Sequence, residues 1–192
     1  MADPMREEEV TLRDGRTLWL RPSRVEDAES TMRNANRVGR EEVYIMIEEV
    51  PSLKEERRWL SAFDGERNVL FVAVADGEVV GAADCHAGTF PKDRHVGGIG
   101  IAIQDGWREG GLGRRMMERV LEWMRARGFA KAELAVFATN HRARRLYESL
   151  GFVEEGVRRR HVRIRGKFVD EILMGLLLGP EPASPARQVT LK

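Results

Sequence analysis

The chain has 192 residues, 42% of them hydrophobic, and a formal net charge of only +1. These values predict one soluble globular domain with a sizeable core and give no global reason to expect a nucleic-acid or membrane partner. The single cysteine, Cys85, excludes an internal disulfide and favours a reducing compartment. We find no apolar run of membrane-spanning length and no signal-peptide pattern, so we expect a cytoplasmic protein.

The N-terminal third is predicted to begin with an extension and to continue as a strand and a helix. We expect residues 1–15 to form the extension, with residues 1–9 loosely attached. Residues 17–21 then predict a strand that ends at a proline. Ser23, with Glu26 three residues later, predicts a capping box for a helix that runs to about residue 37.

A second helix and a hairpin are predicted next. Residues 40–50, with four glutamates around an apolar run, are ambiguous between helix and loop. Ser52, followed by Glu55, predicts a capped helix. The turn pair Asp76-Gly77 predicts a hairpin. Its two strands are expected at 69–75 and 78–87.

The stretch 96–127 organises the rest of the chain. An apolar, glycine-rich run at 96–103 predicts a buried strand, and apolar residues recur at helical spacing from Leu112 onward. Between them, the sequence R-E-G-G-L-G at 108–113 places glycines at a helix start, where unpaired N–H groups and the dipole favour negative charge. Because glycines let a ligand approach the backbone, this loop suits a phosphate or a pyrophosphate.

Two common nucleotide-binding loops do not fit this spacing. A Walker loop requires lysine after its second glycine, but Leu112 follows Gly111. A dinucleotide fingerprint requires a third glycine where Met116 stands. The remaining pattern is R-x-x-G-x-G, for which a helix start with glycines for tight packing is the alternative explanation.

The last third is predicted to contain three strands and a short helix. The helix begins after Asn140 and ends at Gly151. The predicted strands are 131–137, 152–164 and 168–178. We therefore expect one domain over 16–178, followed by a mobile tail at 179–192.

The stretch 140–152, N-H-R-A-R-R-L-Y-E-S-L-G-F, resembles the pattern N-x-x-A-x-x-L-Y-E-x-x-G-F of the GNAT superfamily of N-acetyltransferases. It stands at the expected distance after R-x-x-G-x-G, which resembles the pyrophosphate loop of that superfamily. The opening at 20–28 and the end at 166–174 are also similar. The end resembles members that acetylate protein N-termini, polyamines or small amines.

This resemblance covers roughly 16–178 and implies a mixed α/β GNAT fold. The expected architecture is a central mixed, mostly antiparallel sheet of about seven strands, splayed between one parallel pair and flanked by about four helices. The resemblance also implies acetyl-coenzyme A as the acetyl donor, with no metal.

The resemblance places the cofactor between two strands. Strands 96–103 and 131–137 would splay apart to admit the pantetheine arm, with backbone groups of Ile101 and Ile103 pairing with its amides. Arg108 could add a charged contact at the rim, and Asn140 would touch the cofactor, cap its helix, or do both. The implied cofactor-binding residues are Ile101, Ala102, Ile103, Arg108, Glu109, Gly110, Gly111, Leu112, Gly113, Asn140, Arg144 and Tyr147.

Tyr147 is the implied general acid. Amine attack on the thioester expels a coenzyme A thiolate, which needs a proton. A phenol, with an ordinary pKa of about 10, is still protonated at neutral pH and can donate one. The alternative is a core tyrosine on the apolar face of its helix.

The general base is missing where the resemblance would place it. Many relatives carry a glutamate at the position of Gly98 or of Ala135. Glu133, two residues before Ala135 and expected on the same face, is the candidate base, unless it is an exposed glutamate at a strand start. The alternatives are Asp84, a residue of the segment 41–49, or a water path with no protein base.

We therefore predict direct acetyl transfer from acetyl-coenzyme A to a primary amine, either a protein N-terminus, a polyamine, an amino acid or another small amine. Because the usual glutamates are missing, a catalytically degenerate acyl-coenzyme A sensor is the main alternative. An RNA- or ribosome-associated protein using the arginine-rich run 158–165 is a third, although a solvated hairpin face explains this run better. We expect no membrane or nucleic-acid partner, leave a homodimer open, and assign no single acceptor.

Overall fold

Within residues 3–179, which the computed structural model describes, eight strands form one sheet in the order β1-β2-β3-β4-β5-β6-β8-β7. Every neighbouring pair is antiparallel except β5 and β6. The strands are β1 Glu8–Thr11, β2 Thr17–Pro22, β3 Asn68–Ala75, β4 Glu78–Ala87, β5 Val96–Ile103, β6 Lys131–Phe137, β7 Val153–Ile164 and β8 Lys167–Leu177. The predicted mixed α/β class is confirmed, with eight strands rather than about seven.

Four α-helices of this part of the chain cover the two faces of the sheet. They are α1 Ala28–Gly39, α2 Leu53–Leu60, α3 Leu112–Ala126 and α4 His141–Ser149. α1 contacts β4 and β5 and packs against α2, whereas α3 contacts β3, β4 and β5 through a fully buried apolar stripe that includes Met116 and Trp123. Tyr147 of α4 belongs to the same core as α3. The predicted tail, 179–192, lies outside the described residues except for Gly179.

The two parallel strands pair only at their first three residues. Val96, Gly97 and Gly98 pair with Lys131, Ala132 and Glu133, and beyond these positions β5 and β6 separate. Gln104 donates its N–H to the Val80 carbonyl at 3.0 Å, so even-numbered residues of β5 point their backbone groups toward β4. The backbone groups of Ile99, Ile101 and Ile103 therefore face the gap. This is the predicted splay.

The N-terminal residues are attached more firmly than the sequence suggested. The predicted extension contains β1, which pairs with β2 from Glu8 opposite Leu20 onward, so position 16 falls inside the first hairpin. The Glu8 carboxylate accepts a hydrogen bond from Arg115 at 2.7 Å and also contacts Arg119, whose side chain is fully buried. The prediction that this end is loose is wrong at Glu8, because a buried guanidinium needs a carboxylate partner.

Glu8→Gln should destabilise the protein in a pH-dependent way. Burial alone would raise the pKa of Glu8, but hydrogen bonds and charges from Arg115 and Arg119 lower it below its ordinary value of 4.5. The ionised carboxylate therefore stabilises the fold above that value, and this contribution is lost as the pH falls through the lowered pKa. At pH 7 we expect the free energy of unfolding to fall by about 3 kcal/mol, since the buried Arg119 loses its counter-charge.

Denaturant unfolding at pH 7 and at pH values below 4.5 measures this effect. Glu9→Gln removes the neighbouring, exposed carboxylate and is the matched control. The destabilisation by Glu8→Gln should shrink as the pH is lowered. A loss of equal size in both variants, or one independent of pH, would contradict the assignment.

Most predicted turns and caps are confirmed, with one exception. Ser52 accepts the Glu55 N–H at 3.3 Å as expected, the hairpin turns at Asp76-Gly77, and residues 40–50 form turns and bends. The predicted capping box at Ser23 is wrong. A short 3-10 turn intervenes and α1 begins only at Ala28, because the carboxylate of Asp27 accepts the Arg24 N–H and pairs with Arg21.

Candidate active site

A cavity of about 560 Å³ occupies the gap between β5 and β6. One wall is β5 from 99 to 103 and the facing wall is β6 from 135 to 137. The loop before α3 closes the wide end, and α4 and the segment 44–46 cover the two sides. The two strands separate after the pair Gly98 and Glu133, a position called the branch point here. The unpaired edge of β5 therefore runs along the cavity from this branch point to the loop before α3.

The loop end at the start of α3 has the form of an anion site. Gly111, at the N-terminal boundary of α3, has a φ of +96°, a conformation that residues with side chains rarely adopt. The first helical hydrogen bond joins the Arg115 N–H to the Gly111 carbonyl, so the preceding N–H groups, including that of Gly113, have no helical partner. These donors and the positive end of the helix dipole favour a phosphate group in the cavity.

The other loop residues contribute differently. Glu109 lines the cavity and pairs with Arg142 at 3.0 Å. The Leu112 side chain is fully buried in the core, so only its backbone is available to a ligand. The Gly110 carbonyl accepts the Arg13 N–H at 3.0 Å, which ties the loop to the β1–β2 turn.

Arg108 does not offer the free charge at the rim that the sequence suggested. Its Nε donates to the Ile103 carbonyl at 2.8 Å, its guanidinium pairs with Glu41, and it stacks 4.3 Å from the centre of the Tyr44 ring. Its side chain is only 9% exposed. The side chain therefore fixes the loop to the strand end and to the segment 40–50.

Arg13 is a cavity residue that sequence reasoning missed. Its Nε lies 3.8 Å from the position that a Cβ on Gly111 would occupy, and the residue lines the cavity. Asp14 beside it pairs with Arg16 instead, at 2.6 Å, which leaves the exposed Arg13 guanidinium beside the loop. Arg13 precedes an Asp-Gly turn, but nothing local in the sequence indicates where that turn docks.

The predicted strand residues all line the cavity, with different backbone roles. Ile101 presents its N–H and carbonyl to the gap. Ile103 presents its N–H, but its carbonyl already accepts the bond from Arg108. Ala102 points its backbone toward β4, and its carbonyl accepts a bond from Asn34 at 3.3 Å. The edge expected to pair with pantetheine is therefore present at Ile101 and, in part, at Ile103.

On α4 the structure brings Asn140 and Tyr147 to the cavity but not Arg144. The Asn140 side chain caps α4 by accepting the Ala143 N–H at 3.2 Å, and the residue also lines the cavity. Arg144 is directed away, toward Glu154 at 3.7 Å. Its neighbours Arg142 and Arg145 line the cavity instead, so the predicted residue was one position off the cavity-facing side of the helix.

Tyr147 lies in the cavity wall and is almost completely buried, with 6% of its surface exposed. Its ring packs 6.0 Å from that of Phe152. Burial raises the pKa of Tyr147 to about 12. The phenol is therefore protonated at any pH near neutrality, as a proton donor must be.

Glu133 does not reach the cavity. It lies opposite Gly98, at the last pair before the strands separate, and its side chain is 53% exposed with Lys131 Nζ at 3.9 Å. The predicted face is right, since Ala135 on the same side lines the cavity. The prediction for Glu133 is wrong in its position along β6, because the sequence alone does not show where β5 and β6 separate.

The glutamates at 41 and 42 are occupied by arginines. Glu41 pairs with Arg108 at 2.7 Å and Glu42 with Arg165 at 2.9 Å. Glu48 and Glu49 are exposed. Of the glutamates at 41–49 that were offered as alternative bases, Glu41 and Glu42 are therefore already ion-paired.

Two other carboxylates stand at or beside the cavity. Glu171 of β8 lines it and is 4% exposed, with Arg158 at 2.9 Å and His161 at 3.5 Å. Asp84 of β4 lies over Gly100, a residue of the cavity wall. The sequence signal for Glu171 was its place in the C-terminal motif, where no role was assigned to it.

The remaining reactive groups do not form a second site. Cys85 is fully buried, and burial raises its pKa to about 12, which makes it a poor nucleophile. In residues 3–179 the His, Cys, Asp and Glu side chains form no group of three suited to a metal ion. The helices of the same part of the chain include none long and apolar enough to cross a membrane.

A splayed parallel pair, a glycine loop at a helix start and a buried phenol on the next helix define an acetyltransferase fold. The sequence profile of the Acetyltransferase (GNAT) family matches residues 34–152, more than half of the chain. The chain therefore belongs to this family.

Two curated relatives share part of the sequence. The L-amino acid N-acetyltransferase of Escherichia coli K12 is 31% identical over 107 residues, which cover 54% of this chain and 64% of that protein. The ribosomal protein bS18-alanine N-acetyltransferase of the same organism is 38% identical over 76 residues, or 40% of this chain and 51% of that protein. The chain thus spans less than two thirds of either relative.

Solved structures agree with the fold over a longer stretch. An acetyltransferase of the GNAT family from Streptococcus pneumoniae is 29% identical, with a TM-score of 0.79 over 83% of this chain and 99% of that chain. The protein yncA from Salmonella typhimurium, solved with its cofactor acetyl-CoA, gives a TM-score of 0.80 over 88% of this chain and 98% of that chain, at 20% identity. At this lower identity the likeness shows the fold alone.

Proposed function

We propose that the chain transfers the acetyl group of acetyl-coenzyme A directly to a primary amine. The observation that carries this proposal is the continuity of one cavity, which joins the start of α3, the unpaired edge of β5 and the Tyr147 ring. In this arrangement the pyrophosphate binds the N–H groups that follow Gly111, and Arg13 adds a positive charge. The pantetheine amides pair with Ile101 and with the Ile103 N–H, as an added strand would.

The chemistry requires few groups. Nitrogen of the neutral amine attacks the thioester carbon, a C–N bond forms and the C–S bond breaks. The thiolate takes its proton from the phenol of Tyr147, while the neutral amine nitrogen must lose one proton to become an amide. The buried, protonated phenol favours an enzyme over the alternative of an acyl-coenzyme A sensor.

RNA binding, cellular location, oligomeric state and acceptor were also predicted from the sequence, and these remain predictions. The arginine-rich run that suggested RNA binding is partly committed within the protein, since Arg158 pairs with Glu171 and Arg165 with Glu42. A cytoplasmic location and a homodimer stay predictions from the sequence. The first acceptors to test are those for which the two relatives are named. They are L-amino acids and an alanine of ribosomal protein bS18.

Two measurements on the parent protein test the function. Coenzyme A at a hundred times its Kd should stabilise the fold by about 2.7 kcal/mol, visible as a rise in Tm. With acetyl-coenzyme A, free thiol should then be released in the presence of an acceptor from a panel of amino acids, alanine-initiated peptides and polyamines. Binding without thiol release across this panel would favour the sensor, and absence of binding would remove the cofactor assignment.

A further inference from the structure

The face of β5 that turns toward α1, called the acceptor face here because the proposed function places the acceptor there, carries no side chain at the point where β5 and β6 separate. Gly98 and Gly100 are the two residues of β5 that point to this face just where the strands separate. The nearest carboxylate must therefore come from a neighbouring strand.

Asp84 of β4 fills this space. It stands opposite Gly100 in the antiparallel register, and its Oδ1 lies 2.6 Å from where a Cβ on Gly100 would be. Any side chain at position 100 would collide with this oxygen. The carboxylate thus occupies the place of a side chain borne by β5, over a residue that lines the cavity.

The course of the cofactor in the proposed function brings the acetyl group to this point. The pyrophosphate is held at the loop after Ile103, so the pantetheine arm runs back along β5 toward the branch point. The thioester at its end then lies near Ile99 and Gly100. We propose that Asp84 is the general base that takes a proton from the acceptor ammonium beside this thioester.

The surroundings of Asp84 suit a base. Burial raises the pKa of its carboxyl above the ordinary value, against the opposing effect of His86, whose Nε2 is 3.5 Å from Oδ2. This reduces the gap to an alkylammonium, whose ordinary pKa is about 10.4. The His86 ring is held 4.9 Å from that of Phe63 and is 42% exposed, which gives the proton a route to solvent.

Most other ionisable groups near this face have partners of their own, and Glu133 of β6, opposite Gly98, lies 3.9 Å from Lys131 Nζ. β3 places the apolar Leu70 opposite Asp84, and β5 contributes only glycines there. Arg33 and Arg37 of α1 contact Glu78 and Gln104, whereas Glu56 of α2 is itself buried, which raises the pKa of its carboxyl. Glu171 lies across from Phe137, farther from the branch point, and is paired with Arg158.

The proton balance is complete with these groups. The acceptor ammonium gives one proton to the Asp84 carboxylate, and the neutral amine attacks the thioester carbon. The C–S bond breaks, the sulfur keeps its electron pair, and Tyr147 protonates it. The second nitrogen proton returns to the phenolate, and the Asp84 proton leaves to solvent.

Asp84→Asn is the direct test, and it rests on an acceptor found for the parent protein. At pH 7 we expect kcat to fall by about a hundredfold or more, with the rise in Tm caused by coenzyme A unchanged. Because the amine must then lose its proton unaided, the rate of Asp84→Asn should climb more steeply with pH than that of the parent. Superimposable pH–rate profiles would overturn the inference.

A second variant separates catalysis from a structural role. A Cβ at Gly98 would approach only the His86 carbonyl, at 4.0 Å, so Gly98→Glu has room to supply a carboxylate from β5 itself. Added to Asp84→Asn, it should restore at least about a tenth of the lost rate, which a merely structural defect would not allow. No recovery in a folded double variant that still binds coenzyme A would count against the inference.

Glu133→Gln distinguishes the two candidate bases. We expect the pH–rate profile of Glu133→Gln to follow that of the parent protein. If the profile changes in Glu133→Gln and not in Asp84→Asn, Glu133 is the base. Absence of turnover in the parent, with every amine tested, overturns the proposed function together with this inference. Equal turnover in the parent and in Asp84→Asn overturns the role of Asp84 and leaves the proposed function standing.

Discussion

Gly111→Asp should abolish the rise in Tm that coenzyme A produces. The substitution forces a side chain onto a residue with a φ of +96°, which costs about 1–3 kcal/mol. It also places a negative charge among the N–H groups at the start of α3, and near enough to Arg13 to neutralise that guanidinium. We expect the affinity for coenzyme A to fall by at least about a hundredfold, equivalent to about 2.8 kcal/mol.

A second glycine of the same loop is a matched control for Gly111→Asp. Gly106 also has a positive φ, of +81°, but it is exposed and does not line the cavity. Gly106→Asp therefore imposes similar backbone strain and the same charge away from the proposed pyrophosphate. Isothermal titration of both variants with coenzyme A measures the difference. Unchanged affinity in folded Gly111→Asp would remove the loop from the binding site.

Local sequence signals located the framework of this site well. The strand 96–103 and the strand 131–137 were predicted at their observed bounds, because apolar runs are punctuated there by turn residues and glycine. The cap of α4 at Asn140 followed from the same kind of local rule, since its side chain needs only the N–H three residues later.

Contacts between distant parts of the chain could not be derived in this way. Arg108 was expected at the rim, yet it is bound to Glu41, 67 residues away. Glu8 was placed in a loose segment, but a fully buried Arg119 holds it. In both cases the decisive partner is set by the tertiary fold, and ion-pair partners leave no periodicity in the sequence.

Positions along a strand or around a helix were the other source of error. Glu133 was placed on the correct face of β6, but it stands at the last pair before the strands separate. Arg144 was assigned to the cavity through its motif, while Arg142 and Arg145 face it. A shift of one or two residues changes a cavity residue into a surface residue, which periodicity alone does not resolve.

Tyr147→Phe should separate turnover from cofactor binding. The substitution keeps the ring that packs against Phe152 and removes only the hydroxyl, so the affinity for coenzyme A and the Tm should stay close to those of the parent. The thiolate then leaves without its proton donor, and we expect kcat to fall by about a hundredfold or more.

The pH dependence and a second tyrosine sharpen this test. Because burial raises the pKa of Tyr147 to about 12, loss of its proton should not lower the parent's activity at any pH well below that value. Tyr44, which also lines the cavity, is the other tyrosine of the chain, and Tyr44→Phe removes a hydroxyl of the same kind from the opposite side. Single-turnover assays with a verified acceptor should show a much larger loss for Tyr147→Phe than for Tyr44→Phe. Equal turnover in Tyr147→Phe and the parent would mean that Tyr147 only packs, and that water protonates the leaving thiolate.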